Sequence, residues 1–257
     1  MSEKNNKTVL ITGILGGIGL ETARKYHRKG WFVIGIDNRE CDSSLIKTVI
    51  DQYCQIDLSK QDEIKIKVKD LLDHPNLPDH KLTTVIHTAA LQVNSSLNDT
   101  TTDDWDRVMN VNLKSIWIIS QLVHPFLKMN HGSLIIINSI HAFASSVNVG
   151  AYAVSKAALL GLVRNLAIEW GPDQIRVNGI APGAIETPML MHGLGRRGND
   201  PHVELNILKK RHIMGSIGSP SDIANTIYFI GKSKFMTGET IIIDGGVSQI
   251  LSTESKN

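Results

Sequence analysis

Cysteine is scarce in this chain: Cys41 and Cys54 are the two among 257 residues, with no C-x-x-C spacing. Their scarcity argues against a disulfide framework and a cysteine-built zinc site, and it makes a reduced, cytoplasmic compartment the expectation. An excess of one charge is lacking as well. The 27 Lys and Arg nearly balance 25 Asp and Glu, leaving +2, which argues against nucleic acid or an anionic membrane as partner. Ten histidines are scattered without a metal-like cluster, so no metal is expected. The opening MSEKNNK has no apolar signal region, and no apolar run approaches a membrane span. No repeat, low-complexity tract or linker interrupts the chain, so residues 1–257 read as one domain. At 42% hydrophobic and 20% charged residues it belongs with ordered proteins that bury a substantial core.

Short apolar runs alternate with helical spacing along the whole length. Strands are expected at Lys7–Thr12 and at residues 31–36, 51–56, 82–87, 133–138, 175–180 and 240–243. Helices are expected at 18–29, 61–72, 103–129, 151–170 and 221–230, with a Thr102/Asp103 cap and a Pro125 kink in the third. Strands apolar on both faces and separated by helices predict an α/β fold: a single doubly wound parallel sheet of about seven strands, Rossmann-type, with helices on both faces. In such a sheet ligands bind beyond the carboxyl ends of the strands.

Thr12-Gly13-Ile14-Leu15-Gly16-Gly17-Ile18-Gly19 lies between the first strand and the first helix. Glycines there let the backbone turn and approach a pyrophosphate, which the free N–H groups of the helix start attract. Asp37 ends the second strand about 20 residues on, where its carboxylate can accept from adenosine ribose hydroxyls and repel a 2′-phosphate. Gly16 leaves the loop without a cation, and Arg39 is the one nearby positive charge. NAD is the expected cofactor. Farther along, Tyr152 and Lys156 stand four apart at the start of a helix and so share a face. A neighbouring ammonium favours the phenolate and suits the pair to acid–base work. Ser139 follows an apolar strand, in the same crevice.

In this order and spacing, TGxxxGxG at Thr12–Gly19, Asn112, Ser139, YxxxK at Tyr152–Lys156, Pro182-Gly183, Thr237-Gly238 and Asp244-Gly245-Gly246 resemble the short-chain dehydrogenase/reductase family over residues 7–247. The resemblance implies an enzyme in which Tyr152 is the general acid/base, Lys156 tunes it and holds the nicotinamide ribose, Ser139 binds the reacting oxygen, and Asn112 helps hold a relay water. It places the cofactor against Gly13, Leu15, Gly17, Ile18, Gly19, Asp37, Asp57, Ala89, Pro182, Gly183, Ile185 and Thr187, besides Tyr152 and Lys156. One segment departs from the pattern: His87-Thr88-Ala89-Ala90 stands where Asn-Asn-Ala-Gly is usual. Thr88 is read as a shorter substitute in the backbone bonding, and His87 as a hydrogen-bonded core residue. The family also implies a homotetramer or homodimer.

Substrate choice is expected in loops 91–97 and 140–148 and in an insertion, 184–215, read as a flap. Gln92, Asn94, His141 and Asn148 offer hydrogen bonds suited to a polyhydroxylated small molecule, with Ser139, Tyr152 and Met189 beside them. The stretch from Ser139 to Asn148 is similar to that in sugar dehydrogenases of the family. An NAD-dependent oxidation of a sugar-like or polyol secondary alcohol is therefore expected. The competing readings are a 3-oxoacyl thioester reductase, a hydroxysteroid dehydrogenase, and an NAD-binding regulator without turnover. Arg196-Arg197 and Lys209-Lys210-Arg211 are expected on a solvated face, ahead of the alternative that they meet a phosphate or nucleotide moiety, and 252–257 as a frayed tail.

Overall fold

A computed structural model of the chain describes residues 7–74, 81–195 and 200–250. Seven strands form one parallel sheet, β1 (Lys7–Thr12), β2 (Phe32–Asp37), β3 (Gln52–Gln55), β4 (Lys81–His87), β5 (Ser133–Ile137), β6 (Arg176–Pro182) and β7 (Thr240–Ile243). Their spatial order is 3-2-1-4-5-6-7. The order reverses between β1 and β4, which pair from Lys7↔Lys81 to Thr12↔His87. Connections leave these two strands in opposite directions, and a crevice opens at their carboxyl ends.

Alternation along each strand sends side chains to two cores. From β1, Val9 and Ile11 face the layer made by α1 (Gly17–Arg28), while Leu10 faces the opposite layer. The next helices are the short α2 (Ser43–Thr48), α3 (Gln61–Leu72) and α4 (Thr102–Met109). A π-helical turn, Asn110–Lys114, joins α4 to α5 (Ser115–Asn130), and α6 covers Gly150–Trp170. Helices α3, α5 and α6 seal the Leu10 side; α1 and α9 (Pro220–Lys232) seal the other. Leu10 is fully buried, and truncating such a residue to Ala costs about 2–5 kcal/mol.

Several boundaries differ from the sequence expectation. The long helix expected at 103–129 is capped by Thr101, which accepts from the Asp104 N–H, one residue before the expected pair. With Pro125 inside it the helix runs to Asn130, one residue past the expected end, and the carbonyl that Pro125 leaves free belongs to exposed Gln121. The insertion 184–215 carries α7 (Pro188–Gly195) and α8 (Pro201–Arg211). α8 starts with Asp200 accepting from the His202 N–H and Pro201 in the first turn, a start signal legible in the sequence. α2 was also unforeseen, though Asp42 caps it through the Ser44 N–H. The tail 252–257 and Arg196-Arg197 lie outside the described residues.

One stretch, Gly150–Asp173, is long and apolar enough by length and composition to cross a membrane. It departs from the expectation of strand-sized apolar runs only. Its apolarity has a local use: Leu159, Val163, Leu166 and Trp170 fill the core against the sheet. Its first turns also carry Tyr152, Ser155 and Lys156 into the crevice region.

Candidate active site

A cavity of about 640 Å³ runs along the carboxyl ends of the strands, the size of a site for a cofactor with its substrate. Its first wall is nearly bare backbone. Gly13 sits at φ +66°, and a Cβ there would lie 2.7 Å from the Ala89 main chain, so only glycine lets β1 and β4 close at their ends. A Cβ on Gly17 would come 2.8 Å from the Thr187 methyl. Gly16, Gly17, Ile18 and Gly19 bring the amino end of α1 to the cavity edge, where free N–H groups favour an anion. Leu15 serves differently: its N–H donates to Asp37 Oδ2 at 3.0 Å. The glycine cradle, the helix start and the carboxylate together fit a dinucleotide.

Asp37 ends β2 and is buried. Arg39 folds back on it, Nε donating to Oδ1 at 3.0 Å and Nη2 to Oδ2 at 3.2 Å. Asp57 also lines the cavity. Burial alone would raise its carboxyl, but bonds from the Ser59 N–H and hydroxyl outweigh that and hold it below the usual carboxylate range. Thr88 ties the end of β4 to β1, its hydroxyl donating to the Thr12 carbonyl at 2.7 Å. That is the shortened bonding expected of Thr in this segment.

Across the sheet, α6 carries Tyr152 and Lys156 one turn apart, both buried. The Lys156 ammonium donates to the Ile137 carbonyl at 2.8 Å and lies 5.5 Å from the Tyr152 ring centre. Burial pulls Lys156 down to about 7 and pushes Tyr152 up to about 12, with the Ser139 hydroxyl working against the latter shift. For both groups burial is the largest influence, and it acts on Tyr152 against the direction that a neighbouring ammonium favours. Ser139 turns the chain after β5, its hydroxyl accepting from the His141 N–H at 3.1 Å. His141 packs edge-on against Tyr152, ring centres 6.0 Å apart.

Asn112 sits in the π-helical turn, fully buried. Its side chain is committed: Oδ1 accepts from the Leu91 N–H at 2.7 Å, and Nδ2 donates to the Leu91 carbonyl and the Ser155 hydroxyl, both at 2.9 Å. Asn112 therefore locks α5 to the loop after β4 and to α6. What it can offer a relay water is its main chain, not its amide.

Pro182, Gly183, Ile185 and Thr187 line the cavity beyond β6, and Ile185 bridges to Gly218. Gln92 and Asn94 line it too, bonded to each other at 2.7 Å. Met189 faces it from α7. The insertion 184–215, expected to bear on substrate choice, completes a wall with Leu190, Leu194, Ile207, Leu208, Arg211 and His212. Sequence reasoning had singled out neither its helices nor Leu194, Ile207, Leu208 and His212. Arg211 thus borders the cavity, where the sequence put a solvated basic face ahead of contact with a phosphate or nucleotide. Arg107, from α4, was also missed. Asn148 is not among the lining residues and takes a left-handed turn conformation, φ +61°. No cluster of His, Cys, Asp and Glu able to hold a metal occurs among the described residues.

The family model described as enoyl-(acyl carrier protein) reductase matches residues 13–248. The chain belongs to the short-chain dehydrogenase/reductase family. It is 31% identical over 251 residues to the 3-oxoacyl-[acyl-carrier-protein] reductase of Thermotoga maritima, covering 94% of this chain and 97% of the relative. It is equally 31% identical over 251 residues to the 2-dehydro-3-deoxy-D-gluconate 5-dehydrogenase of Bacillus subtilis, covering 93% and 94%. Among solved structures, the aldohexose dehydrogenase of Thermoplasma acidophilum superposes with a TM-score of 0.88 at 22% identity, covering 100% and 99%. The last comparison speaks to fold. The family makes the chain an oxidoreductase acting on CH–OH groups.

Proposed function

We propose that this short-chain dehydrogenase/reductase uses NAD to interconvert a secondary alcohol and a ketone, or a lactol and a lactone, on a sugar-like or polyol substrate. The observation that carries the reading is the buried Tyr152–Lys156 pair beside Ser139 on the cavity floor. Bound nicotinamide supplies the hydride acceptor or donor. As the phenolate, its own proton passed on beforehand, Tyr152 takes the proton of the substrate hydroxyl in oxidation; as the phenol it gives that proton to the carbonyl oxygen in reduction. Ser139 donates to the same oxygen and fixes which carbon is presented. Lys156, anchored on Ile137, orients a ribose diol and offsets charge on the phenolate.

Asp37 supports NAD over NADP. Its carboxylate is placed for ribose hydroxyls and opposes a phosphate in the same position. Arg39 is half exposed and its guanidinium bonds to Asp37; this reading requires the hydroxyls of a bound ribose to replace it on the carboxylate. Gln92, Asn94 and His141 support a hydroxylated substrate, and the Bacillus relative acts on a sugar acid by name. The apolar wall of Met189, Leu190, Leu194, Ile207 and Leu208 favours the second reading, a 3-oxoacyl thioester reductase. Cofactor reduction with NAD or NADP across sugars, polyols, steroids and hydroxyacyl thioesters separates them. NAD-dependent turnover of a polyol or sugar supports the first reading; activity confined to NADP and acyl thioesters replaces it with the second. Cofactor binding without turnover on the whole panel makes the chain a regulator.

The reading includes a cytoplasmic homotetramer or homodimer. Half-exposed Trp117 on α5 and exposed Ile168 on α6 are apolar side chains that a second copy would cover. A monomer by light scattering at micromolar concentration removes that part.

A further inference from the structure

His87 occupies a place where its chemistry is unusual. It ends β4 between Thr12 of β1 and Ile136 of β5, fully buried. Its Nδ1 lies 2.8 Å from the Thr12 hydroxyl, while Nε2 is buried without a hydrogen-bond partner. An orphaned imidazole nitrogen costs about 1–3 kcal/mol, so something must answer it. The groups around it are few. Thr12 comes from β1, the Asn112 main-chain carbonyl from the π-helical turn, and the Lys156 ammonium from α6. Lys156 is the one charged group acting on the ring among the described residues, and no carboxylate faces it. Burial first, and Lys156 second, pull the imidazole down to about 3, against the Asn112 carbonyl. The ring is neutral at working pH.

Neutrality fixes the proton count: one nitrogen donates and the other accepts. The Thr12 hydroxyl has the imidazole as its partner, and a buried hydroxyl hydrogen needs an acceptor. Thr12 therefore donates to Nδ1, and Nε2 carries the proton. The Asn112 carbonyl acts on the ring as its main-chain acceptor, at less than full bonding geometry, and the Lys156 ammonium, anchored next door on Ile137, acts on it as a charge. Three polar groups of this kind are the usual surroundings of one buried water.

We propose that His87 is a positioning residue for the proton path behind Tyr152, its Nε2–H holding a water against the Asn112 carbonyl and the Lys156 ammonium. Through Thr12, the last residue before the glycine loop, it ties that path to the cofactor cradle. The inference rests on Tyr152 and Lys156 being the acid–base pair of the proposed reaction.

The experiment compares wild type, His87→Leu, His87→Asn and Tyr152→Phe. In the ligand-free protein, ¹⁵N imidazole spectra of wild type should show a neutral ring protonated at Nε2 down to about pH 5. A ring protonated at Nδ1, or charged at that pH, overturns the proposal. In turnover, His87→Leu should lower kcat at least tenfold with cofactor KM within twofold, and shift the pH profile of kcat by half a unit or more. His87→Asn keeps a donor and should recover most of kcat. Loss of kcat with an unmoved pH profile, or equal behaviour of the Leu and Asn variants, means a purely structural histidine. Where His87→Leu does not fold, Thr12→Val removes the anchor at similar volume and should give the same pH shift. Turnover surviving in Tyr152→Phe sinks the acid–base reading itself, while the imidazole spectra still judge His87.

Discussion

Along the ends of β1, β2 and β4 the cavity is lined by a row of glycines, Gly13, Gly16, Gly17 and Gly19, with Asp37 closing it. Facing it, α7 and α8 present side chains: Met189, Leu190, Leu194, Ile207 and Arg211. The first wall tolerates few alternatives, since a Cβ at Gly13 meets the Ala89 backbone 2.7 Å away. The second wall requires only residues of suitable size on two short helices. A surface made of backbone recognises what every user of the cofactor shares, whereas one made of side chains recognises what is particular to a substrate. Variants that strike the two walls, and the floor between them, should differ in kind.

The largest effect belongs to the floor. Tyr152→Phe should lower kcat by about 10²–10⁴-fold, the usual contribution of a positioned acid–base group, with cofactor affinity by fluorescence titration nearly unchanged. Weakened binding in proportion to the loss would place Tyr152 with the cofactor wall instead. Next comes the backbone wall. Gly13→Val forces a β-branched residue to φ +66° against Ala89, costing about 1–3 kcal/mol in backbone strain alone. Thermal unfolding should fall by roughly 5 °C or more, and cofactor binding should be lost. An unchanged Tm with intact binding would mean that β1 and β4 are not as closely apposed as the cavity requires.

The same contrast explains what was legible in the sequence. The glycines, Asp37, Tyr152 and Lys156 are demanded by geometry or chemistry at fixed spacing, so their pattern declares them. The sheet was equally readable, because strands such as Ser133–Ile137, buried at every position, have few other places to go. The α8 wall was hidden by its composition. Its glycine- and arginine-containing approach reads as a loop, and the Asp200-Pro201 start signal carries weight only once the following Leu and Ile spacing is counted. The π-helical turn at Asn110–Lys114 leaves no such pattern, since it merges into the helices on either side. Nor does spacing reveal burial: YxxxK places the ammonium by the phenol, but only the fold shows that both are buried, which raises the phenol and lowers the ammonium.

A smaller effect is expected at the end of the backbone wall. Asp37→Ser removes a charged acceptor, worth about 1.5–3 kcal/mol for bonds of this class, so KM for NAD should rise about 10–100-fold. It also frees Arg39, so NADP should gain relative to NAD. Equal loss with both cofactors would assign Asp37 to holding Leu15 and the loop rather than to choosing the ribose.

The smallest effect, and the one that tests the side-chain wall, is at Arg211. It is exposed at the carboxyl end of α8 yet borders the cavity. A guanidinium there can meet a carboxylate at the far end of a sugar acid, as a partly screened contact that binds ground state and transition state alike. Arg211→Ala should therefore raise KM about 3–10-fold for a substrate bearing a carboxylate and leave kcat unchanged. A neutral polyol should lose nothing, and 1 M salt should shrink the wild-type advantage. A fall in kcat with a neutral substrate would instead mean that α8 is coupled to the Tyr152 floor, and that the two walls do not act separately.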